Sequence, residues 1–265
     1  MKNLLIKFLT VAIVLTISLQ SLVAQSTDNQ MYFIRMMKVM PSKSTEFEKA
    51  DKTFMNFIRE AKIAGLEVYG NATMDYQYYF AVPIDNFAEL DENFWSEVIG
   101  KLGLERFMKE VDAVASCISE ETTGVYLNRR DLGYIHPSIA ENIDKMNYRV
   151  WDIYQFKSGT SSKVKQLCKE YQTLCKKYDL KLNASFYFAI LGQKSESVIN
   201  LSFAKDAEDF AKQQKEFYEK SGAEGKTLWA KVEALLVSHE RKTGYFRPDL
   251  SIFPTSEKPM VAEKK

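Results

Sequence analysis

The sequence predicts an α+β protein built from two tandem copies of one β-α-β-β-α-β unit, packed sheet to sheet. A returning motif and a constant offset predict the doubling, and an alternating apolar pattern predicts the elements. Thr123-Gly124-Val125-Tyr126-Leu127-Asn128-Arg129-Arg130-Asp131-Leu132 reappears as Thr243-Gly244-Tyr245-Phe246-Arg247-Pro248-Asp249-Leu250. The Thr-Gly pairs stand 120 residues apart and the Asp-Leu pairs 118. Upstream, Val39 and Phe47 align with Phe156 and Val164 at an offset of 117. A period this long means two copies of a small domain, since solenoids repeat every ~20–50 residues.

In the first copy, residues 31–127, the bulky apolar run Met31 to Val39 reads as a strand that Pro41-Ser42-Lys43-Ser44 ends. Ser44 or Thr45 can cap a helix, and Phe47, Ala50, Phe54, Phe57, Ile58 and Ala61 repeat at three- and four-residue spacing as one apolar stripe. Gly65 stops it. Leu66 to Thr73 and Tyr76 to Val82 read as a strand pair. A helical region interrupted at Gly100 and Gly103 follows, then a strand from Cys117 to Leu127. The second copy, residues 148–250, repeats the order: strand 148–156, helix 161–178, a hairpin of 180–191 and 197–203, a helical region from Asp206 to Leu236 that pauses between Ser221 and Gly225, and strand 237–246. This order is the ferredoxin-like, split βαβ unit. Residues 128–147 read as a linker and 251–265 as a disordered tail with little to bury.

Lys2 and Lys7 precede an apolar run from Phe8 to Ile17, and Leu22-Val23-Ala24 offers a cleavage site. The pattern is that of a secretory signal peptide over residues 1–24, which places the mature protein in the periplasm or outside the cell, with no membrane attachment once the leader is gone. The chain as a whole has the composition of an ordinary globular protein, 46% hydrophobic and 27% charged. A net charge of +1 excludes an electrostatic footprint for nucleic acid. Cys168 and Cys175 share a helix face but stand ~10 Å apart along the axis, too far for a disulfide. With Cys117 they read as buried small hydrophobes.

A four-stranded sheet with both helices on one face leaves its other face needing a cover, which a tandem copy supplies in cis. The chain thereby resembles the dimeric α+β barrel superfamily, which includes antibiotic-biosynthesis-monooxygenase-like and NIPSNAP-like domains. The resemblance covers residues 31–250, as a fused pseudo-dimeric α+β barrel, and rests on element order, duplication and the Thr-Gly-aromatic end of the fourth strand. It implies a ligand cleft between sheet and helices, cofactor-independent oxidation of aromatic substrates in some members, haem degradation in others, and homo-oligomers. Haem-degrading members use an asparagine, a tryptophan and a histidine with a helical histidine on the iron. Trp151 and His239 share copy two here, but no helical histidine is present, so neither haem nor any other cofactor is expected.

Aligning the first strands pairs Arg35 with Asp152, Met37 with Tyr154 and Ile34 with Trp151, and aligning the fourth pairs Ser119 with His239 and Glu121 with Arg241. Two positions have exchanged sign, which suggests either attraction across a pseudo-twofold axis or solvated charges without contact. His136 and His239 are the only histidines, and no spacing suits a metal site. His136 reads as a surface or packing residue. His239 reads as a hydrogen-bonded structural residue, or as a base or ligand contact. Gly225-Lys226-Thr227 lacks the earlier glycine of a phosphate-binding loop, since Lys220 stands there. Asn71-Ala72-Thr73 and Asn183-Ala184-Ser185 match a glycosylation pattern but fall in strands.

The sequence therefore predicts an exported protein that binds a small, partly apolar or aromatic ligand in one helix–sheet cleft of copy two, through Trp151, Tyr154 and His239. The alternatives are a cofactor-independent oxygenase acting on an aromatic substrate and a non-catalytic scaffold with both clefts filled.

Overall fold

The computed structural model describes residues 29–90, 94–193 and 196–254. The expected signal peptide and residues 255–265 lie outside them. β1 (Gln30–Val39) passes through a 3-10 turn at Pro41–Lys43 into α1 (Ser44–Glu60), whose Phe47, Phe54, Phe57 and Ile58 are buried as the apolar stripe requires. β2 (Tyr69–Thr73) and β3 (Gln77–Ile84) form the hairpin. α2 (Phe94–Leu102) and α3 (Leu104–Ala115) meet at Gly103, whose φ of 89° a helix cannot hold, and β4 (Ile118–Asn128) completes the first half.

β5 (Tyr134–Ile135) and α4 (Pro137–Ala140) lie in the connection. The second half runs β6 (Tyr148–Phe156), α5 (Ser161–Lys177), β7 (Asn183–Leu191), β8 (Ser197–Ala204), α6 (Ala207–Leu235) and β9 (Leu236–Phe246). α6 breaks at Gly222, where φ is 49° and ψ −122°.

Eight antiparallel strands close into a barrel in the order β4-β1-β3-β2-β9-β6-β8-β7, with β7 bonded back to β4 and β5 added beside β7. The barrel is the one the resemblance implies; what changes is that its two sheets form one closed surface and not two layers laid back to back. The two four-stranded sheets join edge to edge, because closure satisfies the backbone groups that open edges would leave unpaired. Their inner faces still meet across the lumen, where the Tyr79 and Trp151 rings lie 5.5 Å apart.

The returning Thr-Gly motif marks the two seams. Gly244 pairs with Thr73 between β9 and β2, and Gly124 adjoins the β4–β7 junction beside Gly192. A Cβ at Gly244 would stand 2.0 Å from the Ala72 carbonyl oxygen, and one at Gly192 2.4 Å from that of Thr123.

The Arg-x-Asp-Leu end of the motif is exchanged between halves. Leu132, which follows the first half, is fully buried with Phe156, Val164, Cys168 and Phe186 of the second. Leu250, which follows the second half, is fully buried with Met37, Phe47, Phe57 and Tyr78 of the first. Each arm is braced by its own fork, Arg129 on Asp131 at 2.7 and 2.6 Å and Arg247 on Asp249 at 2.9 and 3.0 Å. Arg247 also grips Glu48 of α1 at 2.6 and 3.1 Å, and its guanidinium holds the Glu48 carboxyl below its ordinary range.

Residues expected in the linker and at the start of the tail are packed. Residues 128–147 are a packed segment, with Leu132, Tyr134, His136, Ile139 and Met146 buried. Ser251 and Ile252, expected in the tail, are buried, and Ile252 bridges to Val68. The three cysteines are free and buried.

The exchanged charges pair within each half, which corrects both expectations for them. Arg35 holds Glu121 in a two-pronged contact at 2.6 and 2.8 Å. Arg241 holds Asp152 in the same way at 2.7 and 3.0 Å. Opposite signs thus occupy equivalent sites in the two halves.

Among the described residues, the first-half core buries one carboxyl, Asp51 of α1, with Oδ2 unpartnered. Burial pushes its pKa up to about 7, against weaker pulls from Arg35 and Arg247. Between its ordinary value of 3.8 and about 7 the unfolded chain releases this proton while the folded chain keeps it, so stability falls as pH rises through that window. Asp51→Asn is expected to stabilise the protein at pH 8 by about 2–4 kcal/mol, at ~1.4 kcal/mol per pK unit, and to change little at pH 4. Thermal unfolding at the two pH values checks this.

Candidate functional site

The helix-facing side of the second-half sheet carries two rows of side chains set by strand register. Arg241, Asp152, Asn200 and Phe186 stand side by side across β9, β6, β8 and β7. His239, Tyr154, Val198 and Phe188 form the next row. Above them α5 contributes Val164, Cys168 and Tyr171, and α6 contributes Phe217, Leu228 and Trp229. Between floor and roof lies a cavity of about 380 Å³.

The two halves differ here because of particular substitutions. At the place of Val164 the first half has Phe47, fully buried against Tyr78 with ring centroids 4.4 Å apart. Met37 and Asp51 stand where the second half has Tyr154 and Cys168. The first-half cleft is thereby one continuous apolar core, whereas the second-half core is divided around open space.

The polar end of the cavity is one connected chain. The Asp152 side chain is 4% exposed, and its Oδ1 lies 2.7 Å from both His239 Nε2 and Arg241 Nε. The Asp152 carboxylate accepts from the guanidinium fork, and the fork in turn has its pKa raised by that bond. His239 stacks on Tyr154, centroids 4.7 Å apart at 17°, and Trp229 meets both rings edge-on at 6.3 and 6.4 Å. Burial pushes the Tyr154 and Tyr171 hydroxyls well above their ordinary pKa, so both stay neutral donors. Trp229 and Tyr218, partly exposed, stand at the rim near the Gly222 break in α6.

Of the three residues expected at the site, the structure brings Tyr154 and His239 together on the cavity floor. Trp151 is not with them. Its neighbours Asp152 and Val150 face the helices, so strand alternation turns Trp151 into the lumen against Tyr79. Asp152, Arg241, Asn200 and Trp229 were missed. The same alternation that places Tyr154 and His239 puts Asp152 and Arg241 two residues away on the same face, which was the available signal.

The residues do not fit haem or a metal. His136 caps α4 through Nδ1 and meets Asp179 through Nε2, and His239 sits on a strand with Nε2 on Asp152. Among the described residues no group of three or more metal-ligating side chains gathers.

No family model matches the chain, and no curated protein matches it. Among solved structures, an anthrone oxidase-like protein is similar at a TM-score of 0.58 and 10% identity, over 83% of this chain and 92% of that one. A candidate monooxygenase of Lactobacillus acidophilus is similar at 0.52 and 11%, over 84% and 96%. One of Fusobacterium nucleatum is similar at 0.52 and 8%, over 82% and 92%. These likenesses establish the fold, an antiparallel α+β barrel, here closed within one chain.

Proposed function

We propose that the second-half cleft binds a small, partly aromatic molecule and that His239 acts on it as a base. The observation carrying this reading is a histidine–aspartate–arginine chain opening onto aromatic walls in a cavity of about 380 Å³. Small-molecule sites have this size and this mixture of apolar wall and few polar groups. Asp152 takes the N–H of Nε2, which fixes the tautomer that leaves Nδ1 to accept a proton. Arg241 balances the carboxylate charge. An acidic aromatic lying along Tyr154 and His239 would give a C–H proton to Nδ1. The carbanion adds dioxygen, the imidazolium returns the proton to the peroxide, and loss of water leaves a ketone, so that the ring carbon is oxidised and dioxygen is reduced without a cofactor. The oxidase and monooxygenase names of the solved neighbours agree with that chemistry.

A scaffold with two solid cores is disfavoured, since only the first-half cleft is filled. Origin by tandem duplication belongs to the same reading, supported by matching element orders, matching seam glycines and the mirrored ion pairs. So does export, supported by the leader pattern of residues 1–24. The sheet closes within one chain and needs no second copy to complete it.

Thermal shift against a panel of phenols tests the site. A ligand at a hundred times its Kd should stabilise the protein by about 2.7 kcal/mol, raising Tm by roughly 5–10 °C. Val164→Phe, which restores the first-half filling, should remove the shift. His239→Ala should keep the shift and abolish oxygen consumption. A shift that survives Val164→Phe would place the ligand elsewhere, and binding without oxygen uptake by the unaltered protein would leave a carrier.

A further inference from the structure

Two buried side-chain oxygens among the described residues have no hydrogen-bond partner, Asp51 Oδ2 and Asn200 Oδ1. Only Asn200 lines the cavity. Buried polar atoms are bonded in all but a few cases, so an exception in a residue that lines a cavity points to an amide that turns to meet a partner held in that cavity. The row around Asn200 offers none. Asp152, on one side, has its carboxylate engaged by Arg241 and His239, and Phe186, on the other, is apolar. The condition is particular to this residue. Asn183, on the neighbouring strand, has its oxygen bonded to Phe203 N at 2.9 Å and its amide to Leu201 O at 3.3 Å.

Position adds a second constraint. Asn200 lies on β8 and His239 on β9, with β6 between them. Two inter-strand spacings put their backbones ~10 Å apart, before the two-residue stagger between their rows. A molecule reaching both must carry polar groups at separate ends of a ring system.

Resting on the cleft reading above, we infer that Asn200 determines which aromatics the cleft accepts, by taking an O–H or N–H from the ligand end remote from His239. Hydroxylated rings are held, and the same rings with the hydroxyl methylated are refused. A site that leaves a buried acceptor unpaired discriminates far more strongly than one that merely misses an apolar contact.

Calorimetric titration of the full chain with 1-naphthol and 1-methoxynaphthalene tests the inference. The unaltered protein should hold the naphthol about tenfold or more tighter, the worth of one buried hydrogen bond. Asn200→Leu, close in shape but without the amide, should bind the two alike. Without ligand its Tm should be unchanged or higher, because an unpaired buried polar group has been removed. Equal binding of both probes by the unaltered protein, a preference that survives Asn200→Leu, or a Tm loss of more than about 5 °C in that variant would overturn the role of Asn200. If both probes bind alike and Val164→Phe still excludes them, the cleft stands and only this inference falls. If neither probe binds the unaltered protein, both fall.

Discussion

Asp152→Arg alone is expected to destabilise the protein by about 3 kcal/mol or more, and Asp152→Arg with Arg241→Glu to recover most of that loss. The single change removes the carboxylate that the Arg241 fork and His239 share and sets two cations on adjacent strands. Because Arg241 keeps 43% of its side chain exposed, the loss falls at the low end for a broken buried pair. The double change reproduces an arrangement the molecule already contains, Arg35 on β1 holding Glu121 on β4 at 2.6 and 2.8 Å. The doubly changed protein should still show the ligand shift but lose oxygen consumption, since His239 has lost the acceptor that fixes its tautomer. Urea unfolding of the three proteins decides it. A double variant no more stable than the single one would mean that the mirrored pairs are not interchangeable.

Gly244→Ala is expected to cost about 3 kcal/mol, a fall in Tm of roughly 6–12 °C, and Gly124→Ala well under half of that. The added Cβ at 244 would meet main chain, the Ala72 oxygen at 2.0 Å and the Thr73 Cα at 2.6 Å, and main chain in a paired seam cannot step aside. At 124 the nearest atom is the Leu191 oxygen at 3.1 Å, and the next two, at 3.2 and 3.3 Å, belong to the side chains of Tyr126 and Gln193, so neighbours need give by only a few tenths of an ångström. Thermal melts of the two variants test the ranking. Equal losses would show that the seams are held by something other than glycine clearance.

The element order was legible because both halves alternate cleanly and α1 carries a full apolar stripe. The edge-to-edge closure was not, since nothing local in β2 or β4 says which strand will pair with its free edge. The Thr-Gly motif marked the seams without revealing them. A glycine needed for close approach looks the same in sequence as one needed for a turn, and only the neighbouring backbone tells them apart. Tyr154 and His239 were legible as polar-tipped rings on strands of the second copy. Trp151 was misplaced because its size outweighed its parity, although its position between Asp152 and Val150 fixes its face. Asn200 carried no signal, because an unpaired amide oxygen is a property of surroundings that lie far apart in the chain.

The crossed-over arms give the two halves unequal tasks. Leu132 belongs by sequence to the solid half, yet it backs the hollow one, resting behind Phe156, Val164 and Phe186. The shape of the recess is therefore partly written in a stretch that never touches its contents. Drift in residues 129–132 could retune which molecules enter while every wall residue stays the same, and the filled half serves as a keel that lets the other keep a hole.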